Sequence, residues 1–337
     1  MTTAGVWLQF GVLAAVISFA GYHLTYYADL ISERTGLGRN WIGLILLATI
    51  TSLPELVSGI SAVTFAGSPD LAVGDILGSC VFNLVLVFVL DLIHRQSHVY
   101  GKATQGHVLT GALGVILLSF VGFSLMIGNR FAGARLLHIG VSTAAIPFFY
   151  LLAMKTLNDF ERSGNSMEGQ TAPEKPARLP ATKVYPFFIL SAMVVVAGGV
   201  ALPFVGKNMI DVMGWNAAFV GTLFIALATS LPEIAVTISS VRLGVVEMAF
   251  SNLLGSNLFN VVILSVDDLF YRPGPLFADV SLAHAVTAFC AAMMTGLAMV
   301  ALILKPQHRI LNTVSGLSLF LLGVYLLNGY IVFKMGQ

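Results

Sequence analysis

The sequence predicts an all-α integral membrane protein of about ten transmembrane helices, built as two inverted five-helix repeats. Three observations predict it. The 337-residue chain is 57% hydrophobic and only 10% charged, whereas soluble domains are about one quarter charged. It divides into apolar segments that are each close to the ~20 residues a helix needs to span hydrocarbon. A pair of polar motifs inside those segments occurs once in each half.

Composition decides the solvent. A chain with mean hydropathy +0.89 lacks the polar residues to cover itself, so most of its surface must face lipid. The net charge of +1 and the absence of a basic cluster exclude a nucleic-acid partner, and no protein partner is implied. Cys80 and Cys290 both lie in apolar runs and read as packed thiols, not as a disulfide framework.

The expected spans are 5–27, 39–64, 70–93, 105–127, 133–154, 184–205, 215–241, 247–270, 281–304 and 309–334. The first has no lysine or arginine ahead of its apolar run and reads as a retained helix, not a cleaved leader. One polar stretch, 155–183, is rich in charge, Pro, Ser and Gly and suits a solvated linker. It divides the chain into a first half, 1–154, and a second half, 184–337. Twelve of the 17 lysines and arginines fall in the loops on one side, that of the linker. That side is the expected cytoplasm, with both termini outside. The compact length and short linker fit a minimal protein of the cell (inner) membrane.

The repeat is legible residue by residue. "GLILLATITSLPE" (43–55) aligns with "GTLFIALATSLPE" (221–233) at a constant offset of 178. "GDILGSCVFN" (74–83) aligns with "SNLLGSNLFN" (251–260) at 177, and Asp91 with Asp268. The repeats thus cover 39–93 and 217–270. Halves with an odd number of spans must run in opposite directions through the membrane, as in transporters whose site lies at the midplane between them.

The repeated residues share helical faces. Thr51, Ser52 and Glu55 lie three or four apart, as do Thr229, Ser230 and Glu233. Ser79 and Asn83 are four apart, and so are Ser256 and Asn260. These sets offer oxygen without sulfur or imidazole, which is the chemistry of hard cations such as Ca²⁺, Na⁺ or Mg²⁺. A charged side chain at mid-span costs about 2.5–3.5 kcal/mol on insertion scales, so Glu55 and Glu233 read as functional. Pro54 and Pro232 have no N–H, which frees backbone carbonyls around 48–50 and 226–228 as further ligands. Gly74, Gly78 and Gly255 are expected to let the partner helices approach closely. Asp91, Asp267 and Asp268 lie near span ends and read as interfacial.

"TSLPE" followed by "GSxxFN", present twice, resembles the alpha-repeats of the cation/calcium exchanger superfamily, and most of all its sodium/calcium exchanger branch. The resemblance implies a membrane antiporter, not an enzyme, that moves Ca²⁺ against Na⁺ by alternating access, without a prosthetic group. It assigns ion ligation to Thr51, Ser52, Glu55, Ser79 and Asn83, and to Thr229, Ser230, Glu233, Ser256 and Asn260. It adds the carbonyls of Ala48 and Ala226, has the two glutamates bridge Ca²⁺ and serve Na⁺, and makes the first and sixth spans the moving part. The chain departs from the pattern at Asp75, where asparagine is usual and Asn252 is the counterpart, and at Cys80, whose counterpart is Asn257. Two glutamates give a site charge matching one Ca²⁺ or two Na⁺, and a third fixed charge has to come from Asp75. The alternative is Ca²⁺/H⁺ exchange with the same glutamates carrying protons. No HExxH, GxSxG or cysteine–histidine arrangement supports an enzyme.

Overall fold

In the computed structural model the described residues are 1–35, 47–94, 99–128, 135–163, 180–242, 244, 246–306, 308–310 and 313–335, and most of them are helical. The helices are α1 (Thr3–Thr35), α2 (47–51), α3 (Leu53–Thr64), α4 (Pro69–Ile93), α5 (Gln105–Ile127) and α6 (Val141–Arg162). There follow α7 (Ala181–Met213), α8 (Ala217–Val220), α9 (Ala226–Thr229), α10 (Leu231–Arg242), α11 (Val246–Phe270), α12 (Ala283–Leu304) and α13 (Gly316–Met335). Among the described residues, seven helices are long and apolar enough to cross a membrane: α1, α4, α5, α7, α11, α12 and α13. The pair Ala217–Thr229 and Leu231–Arg242, bent by 46°, makes an eighth.

Two expected spans are broken helices. Of 39–64, residues 39–46 lie outside the described residues, and the remainder breaks at Ser52 (φ −86°, ψ 12°). The span expected at 215–241 breaks at Ser230 (φ −82°, ψ 8°). In each case proline opens the following helix, in the first turn, where its missing N–H removes no helical bond. The serine carbonyl starts the new ladder, from Leu56 N–H to Ser52 O at 3.1 Å and from Ile234 N–H to Ser230 O at 3.3 Å.

Other boundaries also differ. The span expected at 133–154 is a helix only from Val141, because Arg135–Leu136 and Ile139–Gly140 pair as a small antiparallel hairpin before it. That helix runs on to Arg162, and α7 begins at Ala181, so both ends of the expected 155–183 linker are helical. Residues 164–179 lie outside the described residues. The helices expected at 5–27 and 184–205 extend to 33 residues each, about 50 Å at 1.5 Å per residue, long enough to leave the hydrocarbon or tilt within it.

Helix lengths match between the halves: 33 and 33 residues for α1 and α7, 12 and 12 for α3 and α10, 25 and 25 for α4 and α11. Helices α4 and α11 are the most buried spans. Glycine lets the broken helices reach them. A Cβ on Gly74 would lie 3.0 Å from Gly221 Cα, and one on Gly78 would overlap the Thr222 carbonyl oxygen. Here the broken helix widens into a π segment, Gly221–Ile225. On the opposite side a Cβ on Gly255 would meet the Ala48 Cβ at 3.2 Å. Such close approach is what small residues supply where lipid gives no hydrophobic drive for helix association.

The span-end aspartates are not interfacial. Asp91 is buried and accepts hydrogen bonds from Ser315 N–H and the Ser318 hydroxyl, both at 2.7 Å. Asp268 accepts from Gly140 N–H at 2.8 Å, Leu276 N–H at 2.7 Å and the Thr143 hydroxyl. Gly140 caps α6 and Ser315 precedes α13. Each aspartate thus holds the start of the last helix of the other half, with its negative charge at a helix N-terminus.

Candidate functional site

The two broken helices pack against α4 and α11. Glu55 lies three residues past one break and Glu233 three past the other, and both are fully buried. Glu55 Oε1 accepts from Ser79 Oγ and Ser230 Oγ, each at 3.2 Å. Glu233 Oε1 accepts from Ser256 Oγ at 3.4 Å. The other carboxylate oxygen of each glutamate has no hydrogen-bond partner, nor do Ser52 Oγ, Asn83 Oδ1 and Asn260 Oδ1. Glu233 lies within reach of the Glu55 charge.

The surrounding contacts come in reciprocal pairs. Thr51 meets Ser256 at 3.2 Å, and Thr229 meets Ser79 at 3.4 Å. Thr51 donates to Asn252 Oδ1 at 3.4 Å, and Thr229 to Asp75 Oδ1 at 2.8 Å. Position 80 meets its own counterpart: Asn257 Nδ2 donates to Cys80 O at 3.1 Å, and Asn83 Nδ2 donates to Asn257 Oδ1 at 3.0 Å. A residue touches its repeat equivalent only near an axis relating the two copies. The outer helices obey the same rule. A Cβ on Gly21 of α1 would overlap the Pro232 ring, and one on Gly199 of α7 would lie 3.3 Å from Pro54 O.

All thirteen residues expected at the site are buried. The carbonyls of Ala48 and Ala226 are not free. Ala48 O accepts from Ser52 N–H and the Thr51 hydroxyl, both at 3.1 Å. Ala226 O accepts from Ser230 N–H at 3.0 Å and the Thr229 hydroxyl at 3.2 Å. Asp75 sits one turn from Ser79 and is tied to Thr229. Among the described residues, no three His, Cys, Asp or Glu side chains form a metal-holding group. The open atoms are instead single carboxylate, hydroxyl and amide oxygens from four helical segments, a donor set suited to a hard cation. An uncompensated pair of buried carboxylates is costly, and a bound cation offsets it.

Residues 5–155 and 183–335, nearly all of both halves, match the family model described as sodium/calcium exchanger protein. The chain belongs to the sodium/calcium exchanger family. Among its relatives, the inner membrane protein YrbG of Escherichia coli is 28% identical over 283 residues, covering 82% of each chain. The sodium/calcium exchanger MaX1 of Methanosarcina acetivorans is 28% identical over 278 residues, 72% of this chain and 77% of that one. The solved structure of the H⁺/Ca²⁺ exchanger CAX shares the fold, with a TM-score of 0.64 at 11% identity over 98% of this chain and 88% of the other.

In this exchanger three polar residues beyond the expected set line the same region. Asn252 and Asn257 bond to Thr51 and Asn83 as described, and the repeat alignment with Asp75 and Cys80 was the signal for both. Asp267 is fully buried with neither carboxylate oxygen bonded. It shares a stripe of α11 with Ser256 and Asn260, eleven and seven residues back, spacings close to whole helical turns. That spacing was the available signal, and proximity to the end of the span masked it.

Proposed function

We propose that this chain is a secondary active antiporter that exchanges Ca²⁺ for Na⁺ by alternating access. The single observation that carries the reading is the pair of buried glutamates, each with one carboxylate oxygen held by hydroxyls and the other open. Their ligands are Thr51, Ser52, Glu55, Ser79 and Asn83 from one repeat, and Thr229, Ser230, Glu233, Ser256 and Asn260 from the other. Ala48 and Ala226 contribute carbonyls once Thr51 and Thr229 turn their hydroxyls away, since a carbonyl has two lone pairs and the hydroxyl uses one. The reciprocal contacts support two inverted five-helix halves, 1–154 and 184–337, joined by the 155–183 linker.

Coupling follows from shared ligands. Ca²⁺ and Na⁺ are close in size, so selection rests on charge and ligand number. Two carboxylates match one Ca²⁺ or two Na⁺, and the ions exclude each other from the same oxygens. An empty site leaves two carboxylates without a counter-charge, which disfavours the swing while unloaded. The identity to MaX1 supports Na⁺ as the counter-ion. Protons on the same glutamates are the second reading, since two protons also neutralise the pair.

The test is ⁴⁵Ca²⁺ uptake into proteoliposomes. A Na⁺ gradient at equal pH on both sides is expected to drive uptake. Uptake driven only by a pH gradient, with no Na⁺ present, would establish the proton reading instead.

The distribution of lysine and arginine supports both termini outside and the linker in the cytoplasm. Thr2 and Ser163 are exposed, and the native cysteines are buried. In intact cells a membrane-impermeant maleimide is expected to label Thr2→Cys, and to label Ser163→Cys only after permeabilisation. The reverse pattern would invert the topology.

A further inference from the structure

We infer a second cation site, built by Asp75, Asp267 and Ser58 one helical turn beyond the glutamates. It sits on the side where α4 begins and α11 ends. Glu55, Ser58 and Gly59 share one face of α3, at spacings of three and four. Ser58 adjoins Asp75. Gly59 adjoins Asp267: a Cβ there would lie 2.5 and 2.6 Å from its two carboxylate oxygens. Only the missing side chain at position 59 leaves room for that carboxylate. The two aspartates therefore flank the same turn of α3, and Asp267 lies within reach of the Asp75 charge.

The donor set is open. Asp267 is fully buried, and both its oxygens lack a hydrogen-bond partner. Asp75 Oδ2 and Ser58 Oγ lack one too. Asp75 Oδ1 is held by Thr229, which also meets Ser79 of the central site, so the two sites share a wall. Among the described residues Asp267 has no hydrogen-bond donor and Asp75 has only Thr229, and buried charges are paired or coordinate a metal ion. Two carboxylates match the charge of Ca²⁺, and a hydroxyl with water completes its coordination of six to eight oxygens.

This site has no twin in the other half. The repeat counterparts of Asp75 and Asp267 are Asn252 and Leu90, and that of Gly59 is Thr237. The second site therefore lies on one side of the central one only. An ion held there is a single helical turn from Glu55, the arrangement in which an incoming ion displaces its neighbour. Which ion drives exchange does not enter the inference.

Equilibrium ⁴⁵Ca²⁺ binding to the purified full chain in detergent tests it. Wild type is expected to bind about two Ca²⁺ per chain, each at a site of its own carboxylate pair. Asp267→Asn should bind about one, and so should Gly59→Ala, which displaces the carboxylate without changing charge. The double variant Glu55→Gln/Glu233→Gln should keep about one Ca²⁺, lost on adding Asp267→Asn. Elution as a folded species in size-exclusion chromatography qualifies each variant. Unaltered stoichiometry in folded Asp267→Asn and Gly59→Ala overturns the second site, as does a Glu55/Glu233 double variant that binds no Ca²⁺. A double variant that binds as much as wild type would instead overturn the central site.

Discussion

Glu55→Gln is expected to abolish Na⁺-driven Ca²⁺ uptake, and Glu233→Gln to do the same. Glutamine keeps the shape and the Oε1 acceptor, so Ser79 and Ser230 still have a partner at position 55. What it removes is one of the two negative charges, and its amide turns an open oxygen position into a donor. A cation facing N–H is repelled where it was ligated. Removing one partner of a buried ionic set costs about 3–5 kcal/mol, on the order of 10²–10⁴ in Ca²⁺ affinity. The loss should appear in ⁴⁵Ca²⁺ flux and, as a matching loss of binding at the central site, in detergent. Wild-type flux in either variant would remove the glutamates from the transport site.

Gly21→Val is expected to slow exchange while sparing ion binding. Gly21 of α1 rests on Pro232 with no room for a Cβ, and Gly199 of α7 rests in the same way on Pro54 and Val57. These are the contacts between the two longest helices and the two breaks that aim the glutamates. Overpacking such a contact costs about 1–3 kcal/mol. A cost that falls on the transition between two packings slows it about tenfold per 1.4 kcal/mol. No ligand of the central site is touched, so Ca²⁺ binding should stay within about threefold of wild type, a difference of well under 1 kcal/mol. Unchanged exchange in folded Gly21→Val would show that α1 does not move across the break. Lost binding would show that the contact sets ligand geometry instead.

Much of this site was legible because its determinants are local or repeated. Thr51, Ser52 and Glu55 share a face by spacing alone, and the 178-residue offset doubles every such inference. The breaks were less legible. Pro54 and Pro232 marked them, but a continuous apolar run hid that the chain turns at Ser52 and Ser230. The fifth span starts later than its apolar run suggests, because residues 135–140, with Leu136, Leu137 and Ile139 among them, pair as a hairpin. Its boundary is set by Asp268, 128 residues away, which binds the Gly140 N–H. Asp91, Asp267 and Asp268 were read as interfacial from their place near span ends, yet all three are buried.

By itself the sequence determined the solvent, the helical period, the doubling and the identity of the acids that no lipid-facing helix would tolerate. These follow from composition and from contacts within a few residues, where spacing dictates geometry. Only the tertiary structure decided which oxygens are already satisfied and which remain open. It closed Ala48 and Ala226 with their own helices, paired Cys80 with Asn257, and left Asp267 bare against Gly59. A buried polar atom is completed or orphaned by donors far along the chain, and spacing along one helix carries no record of what lies across from it.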